Sequence, residues 1–435
     1  MSTPFATHDH EAAPAAAIND RILQVPKSAT LAINEKSRAL QREGRKIFRL
    51  GLGQSPFPVP ELMVSRLQAY ARAKDYMAVQ GYLPLREAVA GFMRRTEGLD
   101  CRASDILIGP GSKELLFGLQ MALDCELLLP APSWVSYEPQ ARLLGKIVHW
   151  LPTRAEDGWK LTAEALDAHC LRRAGGRCQL LVLNSPNNPS GACYTEDELQ
   201  RLAEVARRHR VIVLSDEIYS ELHFEGEHRS IARYYPERSI VSNGISKWAG
   251  AGGWRLGFFA FPRELNHILQ SMVVIASETF TSVSAPIQMA SICAFEDSAA
   301  IIDYIHACRR IMRGIGTDFS RQLRQAGVDI VTPQGGFYCL PDFAPFADRL
   351  RTAGIDNAVQ LAERLLEDTG VAALPGGDFG LTGSLALRMA LVDFDGDALL
   401  HKAIQQPDLE IDLQLPELRR LQQACDRIGE WLRTI

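Results

Sequence analysis

The chain has 435 residues, of which 46% are hydrophobic and 23% charged, and this ordinary composition excludes a disordered, collagen-like or coiled-coil protein. At about 150 residues per domain, the length predicts two or three structural units. The 47 basic and 52 acidic residues leave a formal net charge of −5, which argues against a nucleic-acid-binding protein because such proteins usually carry a basic excess.

Residues 1–20 are predicted to form a mobile arm, because they are rich in alanine and lack the basic start and continuous apolar core of a signal peptide. The arm contains His8, His10 and Glu11, which we interpret as solvated tail residues rather than a metal site.

No apolar run in the sequence approaches the roughly 18 residues that a membrane span requires. The nine cysteines form no Cys-x-x-Cys pair. We therefore expect a cytoplasmic protein with reduced cysteines and with neither a membrane nor a nucleic acid as partner.

A helix is predicted over residues 29–43, and from residue 105 onward short apolar runs alternate with amphipathic helices. The predicted helices cover residues 112–123, 134–144 and 195–208, and the last begins with a capping box formed by Thr195 and Glu198. Runs that are apolar on both faces, separated by helices, predict an α/β fold with a mostly parallel sheet covered on both sides. The apolar runs lie at 106–108, 127–129, 180–183, 211–214, 240–241 and 256–261.

A second pattern starts with a long helix from about Tyr304. Apolar runs at 328–331 and 336–340, a helix at 359–369 and a strand at 385–390 follow it. This pattern predicts a smaller α+β unit, which the N-terminal helix completes. We therefore predict a large domain at residues 60–303 and a small domain built from residues 21–59 plus 304–435.

Ligands of open α/β sheets bind beyond the carboxyl ends of the strands, so the polar residues that follow each apolar run are candidates for a site. A glycine turn at 109–111 leads into a helix whose free N–H groups suit a phosphate, although the Gly-Lys-Ser/Thr ending of a P-loop is missing. The Asn- and Pro-rich segment 184–191 is also compatible with a rigid turn. Asp216 follows a buried run, where an acid is costly unless it meets a cation, and a helix N-cap is the alternative. Lys247 follows the next run and precedes a glycine-rich segment.

Together, these motifs resemble the fold type I, class I aminotransferases that use pyridoxal phosphate. The resemblance covers residues 27–388, nearly the whole chain, and it is nearest to the gamma subgroup, which contains bacterial aspartate and prephenate aminotransferases. It implies a seven-stranded, mostly parallel sheet in a large cofactor-binding domain and a smaller α+β domain. Four segments carry the resemblance: Ser-Ala-Thr-Leu-Ala-Ile-Asn at 28–34, the run at 81–90 with Leu-Arg-Glu-Ala, Asn-Pro-Ser-Gly at 188–191, and the stretch from the lysine at 247 to Gly-Trp-Arg-Leu-Gly at 253–257.

The resemblance implies roles for the reacting groups. Lys247 matches the lysine that holds the cofactor as a Schiff base and then moves a proton, for which its amine must be neutral. Asp216 matches the acid that pairs with the pyridine nitrogen and keeps the ring an electron sink. Tyr219 and Asn188 match the donors to the phenolic oxygen of the cofactor, and a core tyrosine is the alternative for Tyr219.

The resemblance also implies cofactor contacts. Trp134 matches the aromatic residue that stacks on the pyridine ring, although an aromatic residue there is also typical of core packing. Gly111, Ser112 and Arg255 match phosphate contacts. Tyr76 matches a tyrosine that reaches the phosphate of the partner subunit, which implies a homodimer with shared active sites.

For the substrate, Arg388 matches the arginine that clamps the α-carboxylate, and Gly53 matches the glycine whose backbone approaches the same group. Asn188 and Trp134 are expected to border the substrate as well.

Two further positions bear on the side chain of the substrate. Lys113 matches a lysine that can meet the distal carboxylate of acidic substrates, and the alternative is that it only supports the phosphate or caps the helix. Ser28 and Thr30 lie in the N-terminal segment that folds over the substrate in the gamma subgroup.

The implied activity is transfer of an amino group between an L-amino acid and a 2-oxo acid in a ping-pong reaction, with aspartate or glutamate slightly favoured. Two departures leave the identity of the amino acid open: Gly-Gln-Ser-Pro at 53–56 instead of an acidic Gly-Glu-Pro-Asp loop, and an acidic, leucine-rich segment at 393–416. A third departure, Gly244 where the family often has a serine that binds the phosphate, bears on phosphate binding, which we expect to be retained. A lyase, decarboxylase, racemase or synthase of the same fold and cofactor is an alternative. A non-catalytic regulatory protein that binds pyridoxal phosphate is another.

Overall fold

The computed structural model describes residues 19–23, 25, 29–173 and 176–435. Most of the predicted N-terminal arm, residues 1–18, lies outside the described residues. The strands of the described part, in chain order, are β1 Phe48–Arg49, β2 Ile106–Gly109, β3 Cys125–Ala131, β4 Val148–Pro152, β5 Cys178–Asn184, β6 Ile212–Asp216, β7 Ser239–Gly244, β8 Gly257–Ala260, β9 Tyr338–Cys339, β10 Val371–Ala372, β11 Leu374–Pro375 and β12 Leu387–Ala390.

The α-helices of the described part alternate with these strands. They are α1 Asp20–Leu23, α2 Ala29–Arg42, α3 Glu61–Tyr70, α4 Leu83–Glu97, α5 Ser112–Ala122, α6 Tyr137–Leu143, α7 Ala163–Arg172, α8 Glu196–His209, α9 Asn266–Glu278, α10 Ala285–Ala290, α11 Ala299–Gln325, α12 Ala347–Thr352, α13 Ala358–Thr369, α14 Gly396–Gln405 and α15 Arg419–Thr434. None of the helices in the described ranges is both long enough and apolar enough to cross a membrane.

Seven strands form one large sheet in the order β2-β8-β7-β6-β5-β3-β4. The strands from β7 to β4 in this order run parallel, whereas β8 is antiparallel to both of its neighbours. The expected α/β fold with a mostly parallel seven-stranded sheet is therefore confirmed. The register aligns Asn184 with Asp216 and Asp216 with Ser242, so the carboxyl ends of β5, β6 and β7 carry three polar side chains next to one another.

Both faces of this sheet are buried, which explains why its central strands are apolar without alternation. Leu127 and Leu129 of β3 belong to a core cluster on one face, together with residues of α5 and α9. Leu128, between them, belongs to the cluster on the other face, together with residues of α7 and α8. The sheet is thus the middle layer of an α/β/α arrangement.

Both ends of the described chain contribute to the smaller sheets. β1 pairs in parallel with β10, and β12 pairs antiparallel with both β11 and β9. Ile33 and Leu40 of α2 pack against a small cluster of Ile47, Leu366 and Ala372, so the N-terminal helix contacts the C-terminal part of the chain. The division into two domains stays a prediction.

Several element boundaries differ from those expected. The helix predicted from residue 134 begins at Tyr137, because residues 135–136 form a turn. The long helix predicted from Tyr304 begins at Ala299 and has 27 residues. The capping box of Thr195 and Glu198 is confirmed, with the Thr195 side chain accepting from the Glu198 N–H at 3.4 Å. The strand β4 has no counterpart among the predicted runs, because this edge strand mixes polar and aromatic residues and is only partly buried.

Candidate active site

A cavity of about 390 Å³ lies beyond the carboxyl ends of the central strands. It collects residues from the strand ends, from the start of α5 and from the loop after β1. Its lining residues are Leu52, Gly53, Gln54, Ser112, Lys113, Trp134, Tyr137, Asn184, Asn188, Asp216, Ile218, Tyr219, Ser246, Lys247, Gly252, Gly253 and Arg255. The structure therefore brings together most of the residues that the sequence singled out.

Asp216 is the last residue of β6 and is 3% exposed. Its Oδ2 accepts a hydrogen bond from the Tyr137 hydroxyl at 2.6 Å, and its Oδ1 accepts one from the Ser242 hydroxyl at 3.3 Å. Burial raises the pKa of Asp216 to about 6, and the hydrogen bonds from Tyr137, the Ile218 backbone and Ser242 oppose that rise. Asp216 ends a strand rather than capping an α-helix, so its carboxylate remains directed into the cavity.

Two predicted donors stand beside Asp216. The Tyr219 hydroxyl lies 3.1 Å from the Tyr338 hydroxyl, and burial raises the pKa of Tyr219 well above its usual range. The backbone N–H of Asn188 donates to Asn184 Oδ1 at 2.7 Å. The Asn188 Oδ1 is buried and has no hydrogen-bond partner among the described residues. A buried side-chain amide whose oxygen has no hydrogen-bond partner in the described part of the chain is unusual in a core and suits a ligand site.

Lys247 lies in the turn after β7 and reaches across to the loop after β1. Its Nζ donates to the backbone oxygen of Gly53 at 3.3 Å and lies 5.7 Å from the centre of the Tyr219 ring. The side chain is half-buried. The Lys247 Nζ therefore lies at the wall of the cavity, next to Gly53 and Tyr219.

An anion-binding geometry is present where α5 begins. Gly111 precedes the helix with φ +90°, and a Cβ there would collide with the Arg255 guanidinium. The Arg255 Nη1 and Nη2 donate to the backbone oxygens of Gly252 and Pro110, each at 3.0 Å. The free N–H groups of the first turn, which starts at Ser112, and the guanidinium thus face the same space, as a phosphate requires.

A side chain at position 244 would collide with the neighbouring backbone, which explains the glycine there. A Cβ on Gly244 would lie 2.8 Å from the Gly257 Cα on the neighbouring strand β8 and 2.8 Å from the backbone oxygen of Leu256, the residue before that strand. A serine here, as in many members of the family that the sequence resembles, would require the strands to separate. Position 244 therefore offers no side chain to an anion, unlike the start of α5 and Arg255.

Arg388 of β12 is 3% exposed and lies beside the cavity, between two aromatic rings. Its guanidinium is 4.8 Å from the ring centre of Tyr338 and 5.5 Å from that of Phe379, and it donates to the Gly51 backbone oxygen. The Arg388 Nε has no partner among the described residues. Gly53 lies against Tyr338, one of the two aromatic residues that flank Arg388, because a Cβ at position 53 would collide with the Tyr338 hydroxyl.

Lys113 and Trp134 border the open side of the cavity. The Lys113 Nζ lies 5.3 Å from the centre of the Trp134 ring, an arrangement that allows a cation–π contact. The Trp134 ring in turn packs edge-on against Tyr137 at 5.3 Å. Burial, and after it the nearby Arg255 and Lys247, lower the pKa of Lys113.

Five predicted residues are not among the residues that line the cavity. Gly111 directly precedes the lining residue Ser112, and Arg388 of β12 packs against Tyr338. Tyr76 is 91% exposed and is absent from the lining of the cavity in its own chain. Ser28 lies outside the described residues, and Thr30 belongs to the first turn of α2, where the structure describes only the backbone.

Four contributors were missed by the sequence reasoning. Tyr137 and Ser242 hold Asp216, Asn184 anchors Asn188, and Tyr338 contacts both Tyr219 and Arg388. Asn184 could have been found, because it directly follows an apolar run. The other three sit in a helix, within a strand and in a different sheet, so only the fold brings them to the site.

Comparisons with known proteins agree with this arrangement. The family model for aminotransferases of class I and II matches residues 45–401. An aspartate/prephenate aminotransferase from Thermus thermophilus is 35% identical over 395 residues, which cover 89% of this chain and 97% of that protein. An aspartate aminotransferase from Geobacillus stearothermophilus is 31% identical over 379 residues, which cover 85% and 93% of the two chains.

Solved structures show the same relationship. The Thermus thermophilus aspartate aminotransferase with maleate superposes with a TM-score of 0.80 at 32% identity, covering 90% of this chain and 98% of that one. Because the similar proteins are transaminases by name, the lyase, synthase and regulatory alternatives are not favoured. The chain therefore belongs to the class I and II aminotransferases and is a pyridoxal-phosphate-dependent amino acid transaminase.

Proposed function

We propose that this transaminase takes an acidic amino acid, aspartate or glutamate, as amino donor and passes the amino group to a 2-oxo acid. The observation that carries the proposal is the Lys113 ammonium, which lies over Trp134 in the same cavity as Lys247. A cation on the open side of the cavity is suited to the distal carboxylate of such a substrate. The similar proteins are named for aspartate, and the Thermus thermophilus structure contains maleate, a dicarboxylate.

Arg388 is proposed to bind the α-carboxylate. Its guanidinium is already oriented by the Tyr338 and Phe379 rings and by the Gly51 backbone oxygen, so little side-chain entropy is lost on binding. The unpartnered Nε leaves a donor for a carboxylate oxygen. Since both the ring packing and the remaining donor are fixed, Arg388 orients the Cα–H bond of the amino acid relative to Lys247.

Two observations support the fit of the residues present to pyridoxal phosphate. Gly111, Ser112 and Arg255 form a cradle that matches a phosphate. The Asn188 Oδ1, which has no hydrogen-bond partner in the described part of the chain, and the Asp216 carboxylate border a space of the size of the ring. When bound, this cofactor supplies an electron sink for the electron pair that the Cα–H bond releases. Lys247 is proposed as the residue that carries the cofactor, and its amine as the base that takes the Cα proton and returns it to the cofactor carbon.

The other cavity residues are proposed to hold the cofactor ring. Asp216 would pair with the pyridine nitrogen, because an ionised carboxylate at the buried end of β6 needs a cationic partner. Tyr219 and Asn188 would donate to the phenolic oxygen, and the half-buried Trp134 would cover one face of the ring.

The substrate proposal is tested by measuring kcat/KM with aspartate, glutamate, alanine and phenylalanine as donors. We expect the two acidic amino acids to exceed the other two by about tenfold or more, since a distal carboxylate adds one ion pair. Equal values for all four donors would overturn the acidic assignment and leave the transaminase activity itself intact.

We also assign a homodimer with shared active sites, in which Tyr76 of one chain reaches the phosphate of the other. The support is the exposure of Tyr76, 91%, which is unusual for a large aromatic side chain. In a symmetric dimer, mixing Lys247→Ala protein with Tyr76→Phe protein restores one complete site in each hybrid. Equal mixing should therefore recover up to about a quarter of wild-type activity. If each chain used its own Tyr76, the mixture would show only the sum of the two variants.

The two-domain organisation and a cytoplasmic location belong to the same proposal. The large sheet lies between residues 106 and 260, whereas the smaller sheets combine β1 with strands from residue 338 onward. Of the nine free cysteines, only Cys178 is exposed, a distribution typical of proteins from a reducing compartment. The gamma-subgroup assignment likewise remains part of this proposal.

A further inference from the structure

Tyr137 makes the shortest side-chain contact of Asp216. It is the first residue of α6, its side chain is 1% exposed, and its hydroxyl donates to Asp216 Oδ2 at 2.6 Å. A hydrogen bond of this length between a hydroxyl and a carboxylate is charge-assisted and about twice as strong as a neutral one. The edge-on packing against Trp134 fixes the Tyr137 ring from the cavity side.

Only a few groups act on the Asp216 carboxyl. From β7, Ser242 donates to its other oxygen at 3.3 Å, and the Ile218 backbone after β6 also donates to this carboxyl. Glu217, the residue after β6, raises the Asp216 pKa by charge repulsion. Glu217 points elsewhere, toward the Ser215 hydroxyl and His228. Tyr219 lies on the loop after β6 and bonds Tyr338 instead. Tyr137 is thus the strongest donor to Asp216, and it comes from a different layer of the fold.

The direction of this hydrogen bond is fixed. Burial, and next the Asp216 charge, raise the pKa of Tyr137 well above its usual range, so the phenol keeps its proton and can only donate to the carboxylate. Among the effects on the Asp216 pKa, burial is the largest and raises it, and the Tyr137 hydrogen bond is the largest that lowers it. Removal of the hydroxyl would leave the ionised form of a fully buried acid with one good donor fewer.

We propose that Tyr137 is a positioning residue of the transamination reaction, whose hydroxyl keeps the Asp216 carboxylate ionised and directed at the pyridine nitrogen of the cofactor. This inference rests on the role proposed for Asp216. Tyr137 does not touch the reacting atoms, and it acts through Asp216, which determines whether the ring nitrogen holds its proton.

The test is Tyr137→Phe, studied as holoenzyme with the cofactor labelled with ¹⁵N at its ring nitrogen. We expect the ¹⁵N resonance to move toward the value of the unprotonated ring at neutral pH. We also expect the acid limb of the pH profile of kcat/KM to move up by about one pH unit, a tenfold loss near pH 6 that shrinks above pH 8. An unchanged ¹⁵N resonance together with an unshifted acid limb would overturn the proposal.

A matched control separates this role from a packing role. Tyr235 is another fully buried tyrosine, and its hydroxyl donates to the Ala206 backbone oxygen at 3.3 Å in the core on the other face of the sheet. Tyr235→Phe should alter stability without moving the ¹⁵N resonance or the acid limb. If both variants lower activity equally at every pH, Tyr137 serves packing only.

A double variant distinguishes failure of the inference from failure of the proposed function. In an Asp216→Asn background, Tyr137→Phe should have little further effect on the ¹⁵N resonance, because the group it acts through is gone. If Asp216→Asn alone leaves the ring nitrogen protonated and the activity intact, the role proposed for Asp216 is wrong. If Asp216→Asn removes the ring proton and Tyr137→Phe leaves it in place, only the inference about Tyr137 is wrong.

Discussion

Two groups of residues around the cavity differ in how the protein holds them. The buried group, Asp216, Tyr219 and Arg388, is at most 3% exposed, and each member has its partners within the same chain. The exposed group, Lys113, Arg255 and Tyr76, is open to solvent, up to 91% exposed for Tyr76, and only the amino end of Lys113 is partly covered by the cavity wall. Burial fixes direction and shifts pKa values, whereas exposure leaves a side chain free to meet a ligand or a second subunit. We propose that Asp216 and Tyr219 of the buried group set the reaction type and that Arg388 holds the α-carboxylate common to all substrates. The exposed group is proposed to meet the phosphate, the distal carboxylate and the second subunit.

Lys247 belongs to neither group, and its replacement tests whether the buried and the exposed residues support any reaction without it. Lys247→Ala should lower kcat by at least about 10⁴-fold, since both the attachment of the cofactor and the proton transfer are lost. Borohydride should no longer fix the cofactor to the protein, which mass spectrometry of the peptides measures. Lys402→Ala, which removes an ion pair to Glu417 at 3.2 Å, is the control and should retain full activity.

Asp216→Asn changes the charge of the buried group with little change of shape. We expect kcat to fall about 10³-fold, because a group that holds charge in the reaction is removed. Whereas kcat should fall, the free energy of unfolding of the cofactor-free protein should rise at neutral pH. Burial raises the Asp216 pKa from its ordinary 3.8 to about 6, so the folded protein binds this proton more tightly than the unfolded chain. The contribution of Asp216 to the free energy of unfolding is therefore fully present below about pH 4 and is lost as the pH rises through about 6.

The cofactor-free Asp216→Asn protein should accordingly be more stable than the wild type above pH 6, by roughly 1–3 kcal/mol. Below about pH 4 the two proteins should have equal stability. Calorimetry of both proteins between pH 4 and pH 8 measures this difference. A variant that is less stable at pH 8 would show that the ionised carboxyl is stabilising, contrary to the pKa direction.

Arg388→Lys keeps the positive charge of the buried group and removes the planar fork. We expect kcat/KM to fall about 10²-fold for every amino acid, because the α-carboxylate is common to all of them. Steady-state kinetics with aspartate and alanine measure this loss. A loss confined to aspartate would place Arg388 at the distal carboxylate, and Lys113 would then be the residue assigned to the α-carboxylate.

The residues of the buried group could be predicted mainly through the resemblance to class I aminotransferases, and only Asp216, two residues after an apolar run, was also a candidate from its position alone. Their partners could not be predicted, because Tyr137 and Tyr338 lie in other elements and reach the site only through the register of the sheets and the packing of α6. The fold class followed from the alternation of apolar runs and helices. The edge strand β4 was missed, since an edge strand needs no continuous apolar sequence.

Lys113→Ala alters the exposed group alone and has the smallest expected effect. The KM for aspartate should rise about five- to tenfold, in line with a partly exposed ion pair, while kinetics with alanine change less than twofold. Added salt should reduce the difference between the two substrates. An equal loss for both substrates would assign Lys113 to support of the phosphate.

The central claim is that the cavity carries out transamination, with the amino group retained by the enzyme until a 2-oxo acid accepts it. The most direct measurement is a single turnover of the holoenzyme with aspartate in the absence of any 2-oxo acid. We expect one equivalent of oxaloacetate per active site and neither ammonia nor carbon dioxide from the enzyme. Continuous release of ammonia or carbon dioxide under these conditions would contradict it.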